Sequence, residues 1–264
     1  MRGLEIPAQL LMAYFLVHLR FVGMMFTSPL FLATPAPLPF RFLCAVLLTV
    51  ASGSALSTVS IPMVLFESWI SIFFLTLREF LIGVAMGLLA SLPLLALQMA
   101  GEKIGTAMGM TMASVMDPLT QRQTSVVDQL YYLVGLWFYF RWNGHLLLVR
   151  AVVESLSLVP PASLSWLPSG DMALGEWLGA ALQLASRIVI PFYCALLLAD
   201  VGLGFLARTV PQMNIFVLGL PLKLALGFFI LTAILPLTVD LIYTQMERWI
   251  GFALVSVSVW LGGV

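Results

Sequence analysis

Charged residues are scarce in this chain. Its 264 residues include 12 Lys and Arg and 12 Asp and Glu, or 9% in total, whereas soluble domains carry roughly 25%. So few charges cannot cover a water-soluble monomer of this size, whose surface would be about 11,000 Å². Because acidic and basic residues are equal in number, there is no basic patch for nucleic acid and no charged tail. A soluble enzyme, a nucleic-acid binder and a disordered chain are therefore disfavoured.

Motifs of catalysis and metal binding are also absent. The sequence contains no G-x-S-x-G, H-E-x-x-H or Walker-type motif and no cluster of carboxylates. Cys44 and Cys194 lie far apart in apolar runs, and His18 and His145 each stand alone among apolar residues. We interpret these four side chains as packing residues, and we expect no enzymatic activity, no metal and no cofactor.

Apolar residues, in contrast, make up 61% of the chain, which places it in a membrane or in a very apolar assembly. A membrane-spanning helix needs about 20 apolar residues. Charge-free intervals of that length occur at 21–40, 42–66 and 80–101. The prolines of TPAPLP make the first interval a connector rather than a span.

These intervals predict three helices in the first hundred residues. We predict a retained first helix near 6–28 and a second near 38–58. A third is predicted from Pro62 to about 98, either kinked at Pro93 or broken near Arg78 and Glu79. The polar stretch 101–128 then forms the clearest internal boundary, and 157–171 is predicted to be a loop.

The last third of the chain alternates apolar runs with single charges. The run 188–207 has 11 Leu, Ile, Val or Phe residues, but Asp200 near its middle opposes membrane insertion by about 3 kcal/mol. Such helices are usually packed against other helices that cover their polar groups. We interpret Asp200, Lys223 and Asp240 as structural partners, with an ion-translocation relay as the alternative.

The most unusual part of the sequence is residues 99–118, MAGEKIGTAMGMTMASVMDP, which we term the Gly/Met segment. Glycine recurs at every fourth position, at Gly101, Gly105 and Gly109, and five of the chain's 14 methionines fall here. Glycines at this spacing allow close helix packing, which is one interpretation. The other is a compliant plug, because flexible methionine side chains can seal an irregular gap and then rearrange.

Three stretches together resemble the FliR/SctT family of type III secretion export-gate subunits. They are AGEKIGTAMGMTMASVMDP at 100–118, NGHLLLVRAVVESLSLVP at 143–160 and LLLADVGLGFLARTVPQMNIFVLGLPLKLALG at 196–227. The third is the most specific, because RTVPQMNIFVLGLPLK places a polar hinge, an asparagine and a lysine in an apolar background. The NGH sequence before an apolar run is similar to the flagellar branch of the family.

The resemblance implies an all-α fold of membrane-associated helical hairpins with broken or kinked helices, packed into a helical export-gate assembly. Residues 1–264 would form one integral unit, with a FliP-like part at 1–170 and a FliQ-like hairpin at 171–264. This non-enzymatic subunit would join FliP and FliQ around a pore for unfolded flagellar proteins, with FlhB and FlhA as further partners. It would lie among lipids of the bacterial inner membrane, in a flagellar basal body assembly partly raised toward the periplasm, without nucleic acid.

The resemblance also implies roles for individual residues. The family's pore plug corresponds to about 106–122 here. The residues that inherit the plug role are Gly105, Met108, Gly109, Met110, Met112, Met116 and Asp117. The polar residues that we expect to be buried and structural are Asp200, Arg208, Asn214, Lys223 and Asp240.

Two other functions are open alternatives at the level of sequence. An ion-coupled secondary transporter would place its site at broken helices, and Pro211–Pro221 is a candidate interruption. Such transporters usually contain an inverted internal repeat, and we find none. A static assembly scaffold would differ from a gate only in whether the plug opens.

Overall fold

The computed structural model of the chain describes residues 8–33, 36–53, 68–110, 125–161, 174–209 and 215–262. These residues form eight helices and no strand. The helices are α1 (Ala8–Thr27), α2 (Pro29–Ala33), α3 (Leu38–Ala51), α4 (Trp69–Ala107), α5 (Val126–Arg141), α6 (Gly144–Leu158), α7 (Leu174–Thr209) and α8 (Ile215–Gly262). The predicted all-α fold is confirmed.

Four helices in the described part are long and apolar enough to cross a membrane. Their apolar segments are Gln9–Thr27, Trp69–Ala107, Gly175–Phe205 and Gly219–Thr244. With 39 residues, α4 is about 58 Å long and exceeds the roughly 30 Å of a hydrocarbon core. The 14 residues of α3 give only about 21 Å, so this apolar helix is too short to span a bilayer. These lengths confirm a membrane-associated helical protein.

The predicted helix boundaries agree with the structure only in part. The first helix, predicted at 6–28, is Ala8–Thr27, whereas the third, predicted to end near 98, continues to Ala107. The second helix, predicted at 38–58, ends earlier, at Ala51, and Ser52 is its C-cap. Its start is fixed by Pro37, whose extended backbone precedes a proline in the first helical turn. The polar boundary at 101–128 contains the end of α4 and the start of α5.

Prolines and charges interrupt the long helices less than we expected. α4 continues through Arg78, Glu79 and Pro93, so the third helix is one segment and is not broken at its charges. α8 is helical through Pro221 and Pro236. The interruption suggested for Pro211–Pro221 is therefore wrong from Ile215 onward, and residues 210–214 lie outside the described part. Neighbouring groups in apolar surroundings can take up the one hydrogen bond that a proline removes.

The chain divides into two compact units that share its long helices. The first comprises Met1–Leu92, Phe140–Gly175 and Ile250–Val264, and the second comprises Pro93–Tyr139 and Glu176–Trp249. The division within α4 falls at Pro93, where we predicted a kink. The division into a FliP-like part at 1–170 and a FliQ-like part at 171–264 stays a prediction.

The core of the first unit is built from α1, α3, α4 and α6. Its buried residues include Leu16, Val17, Phe21, Ala45, Ile82, Met86, Leu148, Val152 and Leu156. Glycines bring the backbones of α1 and α4 into contact at its centre. A Cβ at Gly83 would meet the carbonyl oxygen of Arg20, and one at Gly23 would meet that of Phe80. Only glycine permits so close a helix crossing.

An ion pair is buried beside this crossing, and its two side chains are fully shielded from solvent. Arg20 Nε donates a hydrogen bond of 2.8 Å to Glu79 Oε2, which joins α1 to α4. The same guanidinium donates to Ser155 Oγ at 2.8 Å and to the Val159 carbonyl at 3.2 Å. Because these bonds compensate the lost hydration of the cation, the pair can tie three segments together in an apolar interior.

Candidate functional site at the Gly/Met segment

The final turns of α4 pack closely against the start of α5. A Cβ at Gly101 would lie 2.8 Å from the backbone nitrogen of Asp128. One at Gly105 would lie 2.7 Å from Ser125 Cβ. These two glycines therefore act as helix-packing residues, as the first interpretation of their spacing predicted.

Gly109 ends this helix by a specific backbone arrangement. The residue adopts a positive φ of 83°, in which a side chain is strained. Met110 N–H donates to the Gly105 carbonyl and Gly109 N–H donates to the Thr106 carbonyl, each at 3.0 Å. This pair of bonds is the Schellman motif, with Gly109 at the position after the helix cap. The chain therefore turns sharply away from α4 just where the methionines become frequent.

Ser125 connects the two ends of the interval 111–124, which lies outside the described residues. Its Oγ accepts a hydrogen bond of 3.2 Å from Val127 N–H and so caps the N-terminus of α5. The same oxygen lies 3.7 Å from Met110 Sδ. The chain therefore leaves α4 and re-enters α5 at nearly the same point, which we term the base of the segment.

α7 and α8 cover the end of α4 on other sides. The side chain of Met108 is fully buried, and its Cγ and Cε lie 2.6 Å from where a Cβ would stand at Gly227 of α8. Leu220 Cδ1 lies 2.7 Å from a Cβ built at Gly109. Tyr193 of α7 donates a long hydrogen bond of 3.4 Å to the Lys103 carbonyl. The described half of the Gly/Met segment is thus anchored and not free.

Asp128 is a buried carboxylate next to this base. Its Oδ1 accepts a 2.7 Å hydrogen bond from Gln129 N–H, and its place in the first turn of α5 suits an acidic side chain. Burial raises the pKa of Asp128 above its ordinary value, and the charge of Glu102 raises the pKa further. The backbone hydrogen bonds oppose both effects without cancelling them.

The five polar residues that we expected to be buried and structural differ in their exposure and in their partners. Lys223 Nζ lies 2.8 Å from Asp200 Oδ2 and so joins α8 to α7. The Asp200 side chain is nevertheless 50% exposed, and Arg208 and Asp240 are exposed as well. Among the described residues Asp240 forms no ion pair, and Asn214 lies outside them. The single chain therefore buries none of these three exposed groups, and their burial requires a covering partner.

A family profile described as "Bacterial export proteins, family 1" matches residues 11–249. The chain belongs to this family. The flagellar biosynthetic protein FliR of Bacillus subtilis is 33% identical over 223 residues, which are 83% of this chain and 84% of the relative. FliR of Escherichia coli is 27% identical over 85% of this chain and 84% of its own length. The Yop proteins translocation protein T of Yersinia pestis is 29% identical over 58% of this chain and 60% of the relative. The FliR/SctT resemblance is confirmed.

Of the plug residues that the FliR/SctT resemblance implies, the structure places four together at the end of α4. These are Gly105, Met108, Gly109 and Met110. Met112, Met116 and Asp117 lie outside the described residues, and the plug role itself stays a prediction.

Sequence reasoning missed several residues that contact the Gly/Met segment or lie next to it. Ser125 could have been predicted from the sequence, since a serine before an apolar helix is a common N-cap. No local pattern predicts Asp128, Leu220 and Gly227, because their role depends on contacts between helices that are distant in the sequence.

Proposed function

We propose that this chain is a non-enzymatic subunit of the flagellar type III protein export gate. In this function it forms part of the pore through which unfolded flagellar proteins leave the cell, and residues 106–122 supply a plug. Membership of the bacterial export family and relatives with flagellar and translocation names support the assignment. The four apolar helices support a location in the bacterial inner membrane, within the flagellar basal body.

The observation that carries the plug is the closed base of the Gly/Met segment. Met110 and Ser125 are in contact although 14 residues separate them, and helices fix both ends. A segment fixed in this way can be displaced by an entering chain and can return without unfolding the helices around it. Methionine suits the part that moves, because its thioether side chain adapts to irregular surfaces.

Exposed apolar surface supports a place among other subunits. Only 17% of the most apolar part of α7 is buried within the chain. Large side chains exposed on this helix include Leu178, Leu182, Ile190, Leu197, Leu198, Val201 and Phe205. The half-exposed Asp200 lies on the same helix, and lipid would solvate its charge poorly. We assign this surface to FliP and FliQ subunits in an assembly partly raised toward the periplasm, with FlhB and FlhA as further partners.

Deleting residues 106–120 in frame tests the proposed seal. If the plug closes the pore, ion and small-molecule leak across the membrane rises for each assembled gate. A matched variant replaces the same residues by a Gly/Ser sequence of equal length, which keeps the spacing of Gly105 and Ser125 but removes the methionines. Normal assembly with an unchanged leak in both variants overturns the proposal.

A further inference from the structure

We propose that Gly227 is a positioning residue of the export gate, because it receives the Met108 side chain and thereby fixes the base of the plug. This inference rests on the proposed function of residues 106–122. It assigns a role to a residue of α8 that lies more than a hundred positions away from the segment in the sequence. We term the contact between Met108 and Gly227 the socket.

The geometry of the socket is specific to a glycine. Three side-chain atoms of Met108, Cγ, Cε and Sδ, lie within 2.6 to 3.0 Å of the position that a Cβ would take at Gly227. The Met108 side chain is fully buried, so an added Cβ at Gly227 would force it into a different rotamer within the packed interior. Glycine is unfavourable inside a helix, and Gly227 lies in the interior of α8. The space that it leaves for Met108 accounts for its presence.

Other glycines of the chain show that the socket is not a general feature of these helices. An added Cβ at Gly202 or Gly204 of α7 would meet nothing within 4 Å. At Gly83 it would meet the backbone of Arg20, so that two helices would have to separate. At Gly227 it would meet only a flexible side chain. A substitution there displaces Met108 selectively and leaves the helix packing largely intact.

A displaced Met108 acts directly on the base of the segment. The next residue, Gly109, has the positive φ that turns the chain, and Met110 after it contacts Ser125. Leu220, about two turns from Gly227 on the same face of α8, also covers Gly109, so a shift of Met108 propagates into this turn. We therefore expect a change at Gly227 to alter how the plug sits without removing any plug residue.

The first experiment measures ion leak per assembled gate for Gly227→Ala in cells that carry the complete export apparatus. We expect a severalfold rise in leak with an unchanged amount of assembled complex. Gly175→Ala is the matched control, because the added Cβ meets nothing within 4 Å in the chain and the residue precedes the exposed α7 side chains that we assign to FliP and FliQ, and it should leave the leak unchanged. A purely structural role would instead lower the amount of assembled complex and leave the leak per assembled gate unchanged, which would overturn the proposal.

The second experiment introduces Gly227→Ala into a Met108→Ala background. Because the contacting atoms are then gone, the added methyl group should change the leak no further. If Gly227→Ala alone prevents assembly, the double variant should restore it. An equal effect of Gly227→Ala in both backgrounds, or a failure of the double variant to restore assembly, overturns the socket.

The deletion of residues 106–120 separates the two proposals. If the deletion raises the leak and Gly227→Ala does not, the plug stands and the socket is wrong. If the deletion leaves the leak unchanged in assembled gates, both proposals fail.

Discussion

Glycines of this chain make two kinds of close contact, and the second unit contains both, since Gly101 also packs against the backbone of Asp128. At Gly83 in the first unit the backbone of one helix touches the backbone of another, and an added methyl group would force the helices apart. At Gly227 in the second unit a glycine receives a methionine side chain, which can change its rotamer. The first kind of contact resists displacement and the second permits it. The plug that we propose would require a contact of the second kind.

One ion pair of the first unit differs from the Lys223–Asp200 pair of the second in the same sense. Arg20 and Glu79 are fully buried and share hydrogen bonds with two further groups. Lys223 and Asp200 are 24% and 50% exposed and make one bond of 2.8 Å. Removing one partner of a buried pair leaves an uncompensated charge, whereas a solvated partner loses little. The predictions below test this contrast, in order of decreasing effect.

Arg20→Ala should produce the largest loss. It removes the cation that is hydrogen-bonded to the buried Glu79 carboxylate and leaves only Arg78 at 4.0 Å, and breaking a buried pair costs about 3–5 kcal/mol in typical proteins. Thermal unfolding of the purified complex and the amount of subunit in the membrane both measure this loss.

The control for Arg20→Ala is Arg150→Ala. Arg150 also pairs with a glutamate, Glu154, but both side chains are exposed, and such a pair contributes about 0–1 kcal/mol. Replacing Arg20 by Met and Glu79 by Gln together should recover part of the stability, because neither side chain of the pair is then charged, although Arg78, 4.0 Å from Glu79, loses its partner. Arg150 and Glu154 lie in the same unit as Arg20 and Glu79, so equal losses for Arg20→Ala and Arg150→Ala would show that burial does not set the strength of these ion pairs.

The sequence predicted the helical class and the bounds of α1, because these depend on local patterns. The proline-rich connector TPAPLP separated α1 from α3, and glycine spacing located the packed end of α4. The pattern failed where tertiary packing compensates a local defect. Arg78 and Glu79 suggested a break in α4, but Glu79 is paired with Arg20 from a distant helix, and the helix continues.

The candidate site could be predicted only in part. Methionine content and glycine spacing marked residues 99–118 before any contact was known. The partners of this segment, Ser125 and Gly227, follow from where the chain turns and which helices meet. Asp200 and Lys223 are adjacent in space although 23 positions apart in sequence, and periodicity alone did not reveal that pairing.

Lys223→Ala tests the comparison between buried and exposed ion pairs, because its effect depends on what covers the pair of Lys223 and Asp200. In the isolated subunit in detergent we expect a loss of about 0–1 kcal/mol, since solvent reaches Asp200. In the assembled gate a covering subunit would exclude solvent, and the loss should approach that of Arg20→Ala. Unfolding of the subunit and of the complex measures both values. An equally small loss in both would contradict a subunit interface over Asp200.

Asp128→Asn should have the smallest effect, and its sign depends on pH. Because the pKa of Asp128 is raised in the folded chain, the folded state binds more protons than the unfolded state between 3.8 and the raised pKa. Stability is therefore lost as the pH rises through that window, and ionised Asp128 weakens the folded state at neutral pH. Asparagine keeps the acceptor for Gln129 N–H but cannot ionise.

The variant should therefore gain stability over the native chain at neutral pH and show no gain below pH 3.8. Unfolding midpoints of the purified complex across this pH range measure the difference. Glu102→Gln is the control, because it removes only the smaller charge effect on Asp128 and should give a weaker change in the same direction. A variant that is less stable than the native chain at neutral pH would mean that the ionised carboxylate holds the base of the segment. The second unit would then depend on a buried charge as the first does.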